Sequence, residues 1–184
     1  MVVELNNVVL DGCNHGLSMM AKSGQLTCIT GGTSRQRSRY LLALMGLEQV
    51  KQGFVCIDGE PIEQANVQYL RQLMAYAPTE LKAEGELVVY EPPSVQDVFS
   101  LKANREVPIS NGILSEEVRR AGGAELVAVA SLLNRKVLVV DTPPVASIDY
   151  LLDQARQGRV VIISSADDAV VSRAHQLLTV NYEQ

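Results

Sequence analysis

The chain has no tryptophan, only two phenylalanines and an aromatic content of 4%. That is too little for the stacking platforms that hold single-stranded nucleic acid. It also lacks an excess of positive charge. Lys and Arg number 16 against 21 Asp and Glu, for a net charge of −5, so no global basic surface is available to nucleic acid. Cysteine is scarce and odd in number, with Cys13, Cys28 and Cys56 showing no CxxC spacing. This is the pattern of a reducing compartment and not of a disulfide framework. Apolar runs such as LVAVA and VLVV fall far short of the roughly 20 residues needed to span a bilayer. The stretch MVVELNNVVLDG has no basic segment followed by an apolar one, so no secretory leader is expected. The expected location is the cytoplasm, with no direct membrane insertion and membrane contact only through a partner. His15 and His175 stand without metal-ligand spacing to any Cys, Asp or Glu cluster, and neither accompanies a nucleophile motif.

What remains is an ordinary globular composition, 47% hydrophobic and 20% charged over 184 residues, which predicts one domain with a real core. QLTCIT, KVLVVD and RVVIISS are continuous apolar runs, the pattern of strands buried on both faces. Cys28 lies in the first of them, and Cys56 lies in GFVCIDGEPI, which alternates up to an Asp58-Gly59 turn. Residues 2–10 predict a strand with a polar interruption. Helices are expected at about 38–47, from Ser94 onward, and over LSEEVRRAGGAELVAVASLLN with Ser115 as cap and Glu116 and Glu117 in the first turn. Gly122-Gly123 either breaks that last helix or starts a new one. Further helices are expected over SIDYLLDQARQG, ending at Gly158, and from Asp167-Asp168. Apolar strands alternating with helices predict an α/β fold with a sheet covered on both faces.

One stretch carries the chemistry. CITGGTSRQRSRYLLALMGL ends an apolar strand at Gly31-Gly32 and opens a helix, with Thr33, Ser34, Arg35, Gln36, Arg37, Ser38 and Arg39 between. Strand, turn and helix N-terminus make a place for an anion. The dense basic cluster Arg35, Arg37 and Arg39 either serves such a site or is a solvated helix start, paired with acids of a partner. A distant apolar strand ends in Asp141, which is either a remnant metal-site acid or a structural one.

Taken in order, these segments resemble the ATP-binding cassette (ABC) ATPase domain over nearly the whole chain. The matching segments are the β-rich residues 2–27, the loop, GFVCIDGEPI, SVQDVF, RAGGAE, VLVVDTPPVASID and VVIISSADDAVVSRAHQLLTV. The resemblance implies a P-loop nucleotidase-like ABC core with an N-terminal antiparallel β layer and a reduced helical subdomain at about 80–125. It also implies a nucleotide site at Gly31, Gly32, Thr33, Ser34, Arg35, Gln36, Arg37, Ser38 and Asp141. Measured against G-x-x-x-x-G-K-[ST], Gly31 and Ser38 match, Gln36 replaces a glycine and Arg37 the lysine, and Ser34 replaces a further glycine usual in cassettes. Asp141 fits the acid that holds magnesium through water. The Glu that activates water falls on Thr142, the γ-phosphate histidine on Ser165, the Q-loop glutamine on Thr79 and the signature serine on Ala121.

Losing these together removes positioning, proton handling and charge stabilisation, so no significant ATP hydrolysis is expected. No resident cofactor is expected, beyond weak ATP or phosphate-anion binding at the arginine loop. The implied role is an interaction or regulatory subunit, partnered with an ABC ATPase, a membrane transport subunit or a second copy. Two alternatives stand beside it. One is an active cassette ATPase with a divergent loop. The other is a MinD/ParA-like P-loop protein, suggested by VLVVDTPP but opposed by the long β preamble and the missing KGG-type lysine.

Overall fold

The computed structural model describes residues 1–78 and 111–181, and these form two sheets with helices around them. The first sheet is antiparallel. Strand β1 (Val2–Leu10) lies between β2 (Leu17–Lys22) and β4 (Val50–Ile57), and β4 turns through Asp58-Gly59 into β5 (Glu60–Pro61). The polar interruption of β1 is a bulge. The register shifts against both neighbours around Asn6–Val9, and Asn7 adopts φ 49°, a conformation that Asn tolerates. Gly53 of β4 faces the bulge so closely that a Cβ there would lie 2.2 Å from the Asn7 carbonyl oxygen.

The second sheet is parallel, in the order β6 (Met74–Ala77), β7 (Val137–Asp141), β8 (Val160–Ser164), β3 (Leu26–Gly31), β9 (Gln176–Val180). Its continuous apolar runs divide strictly by pleat. Ile29, Val137, Val139, Val160 and Ile162 face the core shared with the antiparallel sheet and α1 (Ser34–Leu44). Leu26, Cys28, Leu138, Val140, Val161 and Ile163 face a second core. That core is closed by α4 (Glu125–Leu132), α5 (Ile148–Arg156) and α6 (Asp168–Val171). Each fully buried Val, Leu or Ile contributes about 1.5–3 kcal/mol, so both faces are anchored. His175 pins the edge of the sheet. Its backbone N–H donates to the Leu26 carbonyl at 2.9 Å, and its Nδ1 accepts the Leu26 N–H at 2.9 Å.

Three expectations are corrected. Helix α1 begins at Ser34, not near residue 38, because Thr33 caps it. Ser115 is not a cap, and Glu116 and Glu117 are not in a first turn, because α3 runs from Asn111 to Arg120 and leaves these residues inside it. Gly122 and Gly123, at φ 67° and 86°, separate α3 from α4. Gly122 sits against the turn before α5, where a Cβ would meet the Ala146 carbonyl oxygen at 2.4 Å. Asp167 caps α6 by accepting the Ala169 N–H at 2.8 Å. A short helix, α2 (Val67–Arg71), precedes β6. The helix expected from Ser94, Thr79 and most of the proposed subdomain at 80–125 lie outside the described residues. Among the described residues, no helix is long and apolar enough to cross a membrane, and no group of three or more His, Cys, Asp or Glu could hold a metal ion.

Candidate functional site

The parallel register brings the C-terminal ends of β3, β7 and β8 side by side, and with them Gly31, Asp141 and Ser164. Beyond β3 the chain turns through Gly31 and Gly32, at φ 72° and 51°. Thr33 then starts α1 with a reciprocal cap. Its hydroxyl accepts the Gln36 N–H at 3.2 Å, and the Gln36 Oε1 accepts the Thr33 N–H at 2.8 Å. Two otherwise orphan donors are satisfied in this way.

The three arginines do not form a cluster. Arg37 turns inward and is 5% exposed. Its Nη1 donates to the Gly31 carbonyl at 2.8 Å and the Gly32 carbonyl at 3.1 Å, and its buried Nε has no hydrogen-bond partner. Arg39 donates to Glu48 at 3.1 and 2.8 Å and to the Asp11 carbonyl at 2.8 Å. The bond to Glu48 raises its already high pKa. Arg35, like Ser34, is exposed. The picture of a solvated helix start waiting for acids of a partner is therefore corrected for Arg37 and Arg39, which are used within the chain.

Asp141 is 3% exposed and sits at the centre of a hydroxyl shell. Ser38 Oγ donates to its Oδ2 at 2.6 Å, Thr142 Oγ1 donates to its Oδ1 at 3.2 Å, and Ser164 Oγ donates to the same Oδ1. Hydrogen bonds to a charged acceptor are worth about 1.5–3 kcal/mol each, which is how a carboxylate tolerates this burial. Thr142 adopts φ 49°, unusual for a β-branched residue, and its N–H donates to the Ser164 carbonyl at 3.1 Å and to Ser164 Oγ at 3.0 Å. Burial, and next the charge of Asp141, push the Tyr76 phenol well above its usual range. Burial pushes the Cys28 thiol up to about 11.

This two-sheet arrangement has solved counterparts. It matches cbiO1 of Clostridium perfringens, part of an ABC transporter complex, at a TM-score of 0.66 with 18% identity, over 96% of this chain and 83% of that one. A dimeric bacterial ABC transporter cassette matches at a TM-score of 0.66 with 14% identity, over 97% and 94%. A bacterial Atm1-family ABC exporter solved with ATP bound matches at a TM-score of 0.67 with 17% identity, over 100% and 38%. The chain has the fold of an ATP-binding cassette. In sequence, the arabinose import ATP-binding protein AraG of Pectobacterium atrosepticum is 27% identical over 105 residues, a match covering 56% of this chain and 20% of that protein. No protein-family model matches the chain.

Against the cassette layout, Gly31, Ser38 and Asp141 are brought together. Thr142 adjoins Asp141, with a hydroxyl where the resemblance puts a carboxylate. Ser165 is 1% exposed, its N–H donating to the Ile29 carbonyl at 3.0 Å and its Oγ accepting the Asp167 N–H at 3.1 Å. Ala121 is fully buried, so its side chain is turned into the core. Sequence reasoning missed three features: Gln36 as the partner of Thr33, Ser164 on Asp141, and Glu48 on Arg39. The first had a signal, since T-x-x-Q before an apolar helix is a capping-box pattern.

Proposed function

We propose that this cassette-fold chain is a catalytically silent homologue of ABC nucleotide-binding domains, serving as an interaction or regulatory subunit of a membrane transport or export assembly. One observation carries the reading. The residue after Asp141 is Thr142, whose hydroxyl is spent on Asp141 itself, so the position assigned to the base carries no group that can take a proton from water.

The nucleotide and magnesium that such a fold implies fit these residues poorly. Ser38 Oγ lies in direct contact with Asp141 at 2.6 Å, Arg37 is bound to backbone carbonyls, and Gln36 holds the Thr33 N–H. The Gln36, Arg37 and Ser38 side chains, which the resemblance would turn to a phosphate or a hydrated cation, are each bonded to another part of the chain. No step is therefore assigned to a bound nucleotide, and no resident cofactor is proposed.

The cassette fold supports a proposed partner class. It is a second cassette-type ATPase, a membrane transport subunit or another copy of this chain, encountered at the cytoplasmic side of a membrane. The decisive test is steady-state ATP turnover by the purified chain, with Asp141→Asn as control. The expected result is no turnover above the control. Turnover abolished by Asp141→Asn would overturn the reading in favour of an active cassette with a divergent loop.

A further inference from the structure

We infer that the loop between β3 and α1 is self-liganded: Gln36 and Arg37 fill their own phosphate loop and hold it shut. The inference deepens the silent-cassette reading of the same site and rests on it. The start of an eleven-residue helix presents backbone donors that an anion could take. Here the Gln36 carboxamide oxygen takes one of them, the Thr33 N–H, at 2.8 Å. That oxygen also lies against the Gly32 backbone, because a Cβ on Gly32 would be 2.9 Å from it.

The second half of the closure is Arg37. One guanidinium nitrogen clips the carbonyls of Gly31 and Gly32, at 2.8 and 3.1 Å, from a side chain that is 5% exposed. That single nitrogen occupies both carbonyl oxygens, so its donors are turned to the loop's own backbone. A lysine ammonium is a compact point charge on a flexible stem, so Arg37→Lys tests whether the clip needs the guanidinium. The loop thus satisfies itself with a neutral oxygen and an internal cation. It is folded without nucleotide and closed to phosphate.

The test uses the full chain, thermal melting, and calorimetric titration with inorganic pyrophosphate and with ATP–Mg²⁺ up to millimolar concentration. Gln36→Ala removes the acceptor and should lower Tm by about 2–4 °C. Gln36→Glu keeps a capping-box acceptor and should melt with the wild type. The wild type should show no binding of either anion. Q36G/R37K should melt lower, bind pyrophosphate, and regain Tm as pyrophosphate is added. If the double variant does not fold, Q36A/R37K, which avoids a glycine in the first helical turn, carries the binding arm.

Pyrophosphate binding by the wild type would overturn the inference. So would Gln36→Ala melting with the wild type, or a folded opened variant that takes no pyrophosphate. Anion binding without turnover would sink self-closure and leave the silent-subunit reading intact, whereas wild-type ATP turnover would sink that reading.

Discussion

Gly31 and Gly32 both adopt positive φ between β3 and α1, and replacing each by alanine tests what packing demands of them. At Gly31, φ is 72° and an added Cβ would lie 2.4 Å from the Val180 carbonyl oxygen and 3.0 Å from Thr179 Cγ2. The left-handed conformation costs a non-glycine residue about 1–2 kcal/mol, and pushing the end of β9 aside adds an overpacking cost of about 1–3 kcal/mol. The expected loss is about 2–5 kcal/mol, or about 5–15 °C in Tm for a chain of this size. At Gly32 the strain is similar, but the Cβ would meet side-chain atoms, Gln36 Oε1 and Val180 Cγ1, each at 2.9 Å. Gln36 Oε1 would then have to leave the Thr33 N–H, so the loss should be the strain of about 1–2 kcal/mol plus about 1 kcal/mol for the cap, still below the backbone clash at Gly31. Melting followed by far-ultraviolet circular dichroism, without nucleotide, orders the two variants. A Gly31→Ala protein that melts within about 2 °C of the wild type, or one less damaged than Gly32→Ala, would refute the argument that β9 dictates this glycine.

Thr142→Glu puts a carboxylate at the position that the proposed function assigns to the base, yet Arg37, Gln36 and Ser165 are unchanged, so ATP turnover should stay at background; turnover in this single variant would contradict the proposed division of roles. Tyr150 donates to the buried Glu117, which also accepts from Arg120 at 2.8 Å. Tyr150→Phe should therefore cost about 1–3 kcal/mol in urea unfolding and raise hydrogen exchange in α3. Burial pushes the Cys28 thiol from its ordinary 9.0 up to about 11. Between those two pH values the unfolded chain loses a proton that the folded chain keeps. Stability is then fully present below pH 9 and falls by about 3 kcal/mol as pH rises toward 11. This part of the decline should be absent in Cys28→Ala, and denaturation midpoints from pH 8 to 11 on both proteins test it.

The fold was legible because its signals are redundant. VLVV and VVII are apolar at every position and so demand two covered faces, and a four-residue error in where α1 starts changes neither. The Asn6-Asn7 interruption and the Asp58-Gly59 turn were visible because each uses a residue suited to positive φ, and the structure finds Asn7, Asp58 and Gly59 there. The site was less legible, because its meaning lies in contacts between segments far apart in the chain. Ser38 and Asp141 are 103 residues apart and hydrogen-bonded. No periodicity encodes that pair, or the choice of Arg37 to turn inward while Arg39 reaches Glu48. Charge clustering along the chain suggested one basic patch. The helix placed its three members in three different environments.

Retention of Gly31, Ser38 and Asp141 is therefore weak testimony for nucleotide chemistry. Each has a present structural reason to stay: a close approach of β9, a hydrogen bond across the sheet end, and a buried carboxylate held by three hydroxyl groups. The substituted positions say more. Gln36, Arg37 and Thr142 each bring a side chain that the surrounding backbone or carboxylate uses directly. A loop that had merely decayed would leave unsatisfied polar groups behind, and those are costly when buried. Here the buried side-chain atom without a partner on the loop is the Arg37 Nε. In the proposed silent-cassette reading, the same three side chains would replace the hydrolytic groups and bond instead to the loop's own backbone or to Asp141.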